Sequence, residues 1–136
     1  MQAKRTSEQR WEVDSASEPG ILRLMLRGRL TTDEMRAFVA AHNAAIDGYE
    51  GTDYKVFCDI RELSPLAPDC TLLFEAAKRY SEARKNFRGS AVWVAGAIVS
   101  MQHARTSKTS GVLSSELISS DEQALRAHLA KVWRNG

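Results

Sequence analysis

Residues 21–60 change their hydrophobic period twice, and this limits the possible folds more than any other feature. In "ILRLMLRGRL" Leu22, Leu24 and Leu26 alternate with Arg23, Met25 and Arg27. That period of two predicts a strand with one buried face. "TTDEMRAFVAAHNAAIDGY" follows, with Thr31 and Glu34 at capping-box spacing. Met35, Phe38, Val39, Ile46 and Tyr49 form one helical stripe, and Gly48 and Gly51 mark its end. "YKVFCDI" is then a continuous apolar run, as expected of a strand covered on both faces. A strand, a helix and a strand in this order require a crossover, and parallel pairing is the default.

The remaining segments extend the pattern. "RWEVD" reads as a first strand and Pro19-Gly20 as turn chemistry, so a hairpin opens the fold. "DCTLLFEAAKRYSEARKNF" predicts a second helix with Leu73, Ala76, Ala77, Tyr80 and Phe87 inward and Gly89 at its end. "SAVWVA" predicts a buried strand. A weakly striped third helix is expected over 96–110, and a short strand over 116–119. "SSDEQALRAHLAKVW" predicts a last helix, with Ser120 and Gln123 at capping-box spacing and Leu125, Leu129, Val132 and Trp133 inward. The expected order is β-β-α-β-α-β-α-β-α, an α/β domain with a mostly parallel sheet and an antiparallel N-terminal hairpin. A chain of 136 residues is long enough for one core. Residues 1–9 read as a loose tail and 10–136 as a single domain.

Several function classes are disfavoured. No apolar run approaches the roughly 18 residues of a membrane span, and "MQAKRTSEQR" lacks the apolar centre of a secretory signal. A cytoplasmic protein without a transmembrane segment is expected. The net charge of +2 is too small to argue for nucleic acid, and the basic stretches lack interleaved aromatics. His42, His103 and His128 are not paired at metal-ligand spacing, and there is no HExxH or Cys-x-x-Cys. His42 and His128 lie on or beside apolar stripes and read as boundary residues. With no G-x-S-x-G, P-loop or glycine-rich dinucleotide turn, neither an enzyme nor a cofactor is expected.

The patterns "ILRLMLRGRLTTDEM", "KVFCDIRELS", "VWVAGAIVSMQHAR" and "SSDEQALRAHLA" resemble bacterial STAS-like domains over residues 10–134. These are relatives of the anti-sigma-factor antagonists and are grouped with CRAL-TRIO-type lipid carriers. The resemblance implies helices packed on a sheet whose first strand is antiparallel, and a role in protein–protein signalling or small-ligand sensing. In the antagonists the third strand enters a turn bearing Asp-Ser-Ser/Thr-Gly, where a kinase phosphorylates a hydroxyl. An ungapped overlay through "DIRELS" puts Ala67, Pro68, Asp69 and Cys70 on those four positions. No hydroxyl remains at the switch, and Asp69 supplies a permanent negative charge near a helix start. Asp69 also reads as an ordinary N-cap. Ser64 and Thr71 are the nearest hydroxyls. Cys58 lies in a strand expected to be buried and Cys70 near a helix start, where a thiol pKa can fall; both read as packing residues rather than a redox pair.

Two functional readings follow. One is a non-enzymatic interaction module whose protein partner meets a turn containing Ser64, Asp69, Cys70 and Thr71. The other is a small-ligand or lipid-binding domain. Its apolar pocket would lie near Trp93, Ile98 and Met101, with a basic mouth for an anionic headgroup. No acidic residue occurs between Glu82 and Glu116, while Arg84, Lys85, Arg88, His103, Arg105 and Lys108 do. These six form a candidate anion-binding or partner-binding face. They also fit a solvated surface with bases near helix C-termini. Arg23, Arg27 and Arg29 read as the exposed row of an edge strand. The weak third-helix stripe and an edge strand leave room for a homodimer.

Overall fold

The computed structural model describes residues 9–95 and 115–134, with the side chains of 132–134 outside the description. Its elements are β1 (Trp11–Glu18), β2 (Ile21–Gly28), α1 (Thr32–Asp47), β3 (Tyr54–Leu63), α2 (Pro68–Glu82), β4 (Phe87–Trp93), β5 (Glu116–Ser119) and α3 (Glu122–Arg134). The helix expected over 96–110 lies outside the described residues.

Five strands form one sheet in the order β1-β2-β3-β4-β5. β1 runs antiparallel to β2, and the other pairs are parallel. The hairpin closes on Pro19-Gly20, and β1 runs further into that turn than "RWEVD" suggested. Gly20 takes φ +77°, the value a type II turn requires after proline and one that side chains disfavour. Helices α1 and α2 pack on each other and cover one face of the sheet. Helix α3 covers the other, over β4 and β5.

Side-chain alternation assigns the two faces. Leu22, Leu24 and Leu26 of β2 are buried with Val56, Cys58 and Ile60 of β3, and with Met35, Phe38, Ile46 and Phe74 from α1 and α2. On the opposite face Phe57 and Ala91 bury Leu125 and Leu129 of α3. Lys55 is buried on this side too, and its Nζ donates to the Leu129 carbonyl at 2.5 Å. A cation placed on a late helix carbonyl is favoured by the helix dipole.

Several details depart from expectation. β2 is flanked by β1 and β3, so Arg23 and Arg27 are not on an edge strand. Arg23 is half-buried, pairs with Glu18 at 3.0 Å and lies 5.3 Å above the Phe57 ring. In α2 the inner stripe is Cys70, Phe74, Ala77 and Ser81. Ala76 is exposed, and Phe87 and Gly89 belong to β4. The helix ends early because the chain must turn at Ala83–Asn86 to enter that strand. In α3 it is Asp121, not Ser120, whose carboxylate accepts from the Gln123 amide at 3.0 Å.

The capping box of α1 is complete. Thr31 Oγ1 accepts from the Glu34 amide at 3.0 Å, and Glu34 Oε1 accepts from the Thr31 amide at 2.8 Å. The Thr31 amide, with Arg10 behind it, holds the Glu34 carboxyl below its usual range. The stability this adds is present above the ordinary carboxylate pKa and is lost as pH falls through the lowered one. Thr31→Ala is expected to cost about 1 kcal/mol of unfolding free energy, measured by urea denaturation.

Candidate docking turn, basic surface and buried ion pair

β3 ends at Leu63, and the backbone amide of Ser64 donates to the Gly28 carbonyl at 3.0 Å. This bond ties the turn to the end of β2. Pro68 occupies the first helical position, where its fixed φ fits and its missing N–H costs nothing. Ala67 is therefore the N-cap residue, and it offers no side-chain cap. Asp69 is one step inside the helix, exposed in the first turn, and is not the cap expected from sequence. It still places a negative charge at the positive end of α2.

Cys70 is a packed cysteine, as read from the sequence, and so is not presented at the surface of the turn. It is the first residue of the inner stripe, 1 % exposed, with its Sγ 3.7 Å from the Leu30 carbonyl. The helix phase that buries Phe74 and Ala77 places Cys70 inside as well. Ser64 and Thr71 are half-buried. Pro65, Ala67, Pro68 and Asp69 are exposed, and Leu72 is 62 % exposed on the next turn of α2. Both cysteines are free and buried. Burial pushes the Cys58 thiol up to about 12, so at neutral pH it is a packed thiol and not a nucleophile.

The basic candidates divide. His103, Arg105 and Lys108 lie outside the described residues. Arg84, Lys85 and Arg88 line a surface depression that Asp47, Glu50 and Asp53 also line. Arg88 Nε stands 3.1 Å from Asp53 Oδ2, and Arg84 stacks over Tyr80 at 4.6 Å. Tyr80 in turn donates to Asp47 at 2.5 Å. Within the described residues this surface is of mixed sign. Trp93 is half-buried on the α3 side, with the Arg61 guanidinium 3.5 Å above its ring. Ile98 and Met101 lie outside the described residues.

Sequence reasoning missed a buried polar group on the α1/α2 face. Lys78 Nζ donates to Glu116 Oε2 at 2.6 Å, with side-chain exposures of 10 % and 2 %. Ser90 Oγ donates to the same oxygen at 3.2 Å. Desolvation pushes the Lys78 amine down, against the pull of Glu116. A signal was present in both places. Lys78 follows Phe74 by four residues on the inner stripe, and Glu116 shares the inward face of β5 with Ile118.

Among the described residues no helix is long and apolar enough to cross a membrane, and no three His, Cys, Asp or Glu side chains are grouped to hold a metal. No protein family, curated protein or solved structure matches the chain.

Proposed function

We propose that this chain is a non-enzymatic interaction module of the STAS-like kind, docking a protein partner on the β3–α2 turn and the first turns of α2. The exposure of Leu72 carries the reading. It is a large apolar side chain at 62 % exposure, beside the exposed Pro65, Ala67 and Pro68. An apolar anchor beside a backbone stiffened by two prolines loses little entropy on binding. Asp69 gives the patch a charged rim. The four switch positions carry no hydroxyl, so docking there is not relieved by phosphorylation.

The alternative, an apolar or anionic small ligand near Trp93, draws less support from the described residues. Trp93 is stacked beneath Arg61.

Photo-crosslinking from position 72 in the producing cell tests the proposal. A discrete protein adduct is expected from position 72 and none from Ala127, an exposed site on α3. Leu72→Asp is expected to weaken binding of that protein by roughly tenfold or more. It is expected to shift folding stability by no more than about 0.5 kcal/mol. Equal adducts from both positions, or undiminished binding by Leu72→Asp, would overturn it.

A further inference from the structure

The α1/α2 layer and the sheet bound a cavity of about 40 Å³ that is open to solvent on one side. That is room for about three waters, or about four non-hydrogen atoms of a solute. Leu24, Phe74, Ala77 and Val92 make apolar lining. Lys78 and Glu116 line it too, and both side chains are nearly buried. The Lys78 amine stands 2.6 Å from Glu116 Oε2 and 5.6 Å from the centre of the Phe74 ring. Ser90 Oγ holds the same carboxylate oxygen at 3.2 Å.

This setting distinguishes Lys78 from the other described lysines. Lys85 and Lys131 are exposed, and Lys55 donates to the Leu129 carbonyl on the opposite face of the sheet. A lysine amine attacks carbon only when neutral, and withdrawal from water favours the neutral form. Burial pushes the Lys78 amine down, against the pull of Glu116. The carboxylate that pairs with the ammonium is also placed to accept its proton. Cys58, the other nucleophile of the lining, stays a thiol, since burial pushes it up to about 12.

We infer that Lys78 captures a short aliphatic aldehyde as an imine, with the alkyl chain between Leu24, Phe74 and Val92 and the imine nitrogen facing Glu116. The step needs no oxidant or reductant. Glu116 takes one proton from the ammonium, and the freed lone pair attacks the carbonyl carbon. A C–N bond forms, and the electron pair of the C=O double bond moves onto oxygen. That oxygen takes two protons, one returned by Glu116 and one from the nitrogen, and leaves as water through the open side. The nitrogen keeps the third proton, so the product is a cation where the ammonium was. Glu116 keeps its partner, and no unpaired charge is left withdrawn from water. Charge and shape select the class. A carboxylic acid forms no imine and adds a negative charge beside Glu116. An aldehyde brings one alkyl branch to the reacting carbon and a ketone two, whereas the amine has apolar lining on the Phe74 side and a carboxylate on the other. The site is separate from the docking turn, since neither Leu72 nor any residue from Ser64 to Cys70 lines it.

Butanal is the probe. The full chain is treated at neutral pH with butanal and cyanoborohydride, which reduces an imine to a stable amine, and the butylated lysines are mapped over time by mass spectrometry. Lys78 is expected to react about tenfold faster than Lys85 and Lys131. In urea the three lysines are expected to react alike. Ala77→Leu, which extends a side chain into the cavity, is expected to abolish the preference for Lys78 and leave Lys85 and Lys131 unchanged. Reaction at native Lys78 no faster than at the two exposed lysines overturns the inference. So does a preference that survives in urea or in Ala77→Leu. The native and urea time courses decide the matter even where the variant fails to fold.

Discussion

Replacing Lys78 with alanine is expected to destabilise the fold by about 3–5 kcal/mol, measured by urea unfolding with far-UV circular dichroism. The reason is what the substitution leaves behind. The Glu116 side chain is 2 % exposed and is held by Lys78 at 2.6 Å and Ser90 at 3.2 Å. Without the ammonium, a carboxylate stays withdrawn from water with its main charge partner gone. A domain is stable by only about 5–15 kcal/mol in total, so this one change removes much of the margin. The paired replacement Lys78→Met with Glu116→Leu is expected to be close to neutral, because desolvating two ions offsets most of their attraction. A loss below about 1 kcal/mol in Lys78→Ala would mean that the carboxylate finds another cation or water.

Phe38→Ala is expected to cost a similar amount, about 3–5 kcal/mol, through a different mechanism. The side chain is fully buried at the meeting of both α1/α2-side helices with the first strand. Its ring stands 6.1 Å from Trp11, 6.0 Å from His42 and 6.4 Å from Phe74. Truncation removes buried apolar area and leaves a void that three rings cannot all close. Phe38→Leu keeps most of the volume and is expected to cost much less. Thermal unfolding of the two variants separates cavity formation from loss of the ring. If both melt alike, the void is not the main term.

The fold was legible where one period dominated a segment. Leu22, Leu24 and Leu26 alternate in the sequence and are buried in the structure. Thr31 and Glu34 cap a helix at the spacing that predicts it. The run Tyr54–Ile60 is covered on both sides because α1 and α2 lie over one face and α3 over the other, but only the α1/α2 side is apolar throughout: Lys55 and Asp59 flank Phe57 on the α3 side. Errors arose where a local preference competed with tertiary packing. Asp69 is a better N-cap residue than Ala67, but Pro68 fits the first helical position and moves the cap back two residues. Phe87 fits the end of a helical stripe, yet it pairs with Tyr54 in the sheet. The buried polar side chains on the α1/α2 face were the least legible feature. His42, Lys78, Ser90 and Glu116 belong to four different elements, and no spacing along the chain relates them. Only the fact that each falls on an inward phase hints at it.

The sheet order has a kinetic meaning. Each strand from β1 to β5 lies beside the one made just before it. No pairing has to wait for a distant part of the chain, so each step closes a loop no longer than one hairpin or one crossover. Loop-closure entropy rises only slowly with length, and parallel pairings each closed across a single crossover place the domain between helical bundles and all-β folds in folding speed. The sheet can therefore grow strand by strand in the direction in which the ribosome releases it, β5 joining last and bringing Glu116 to Lys78.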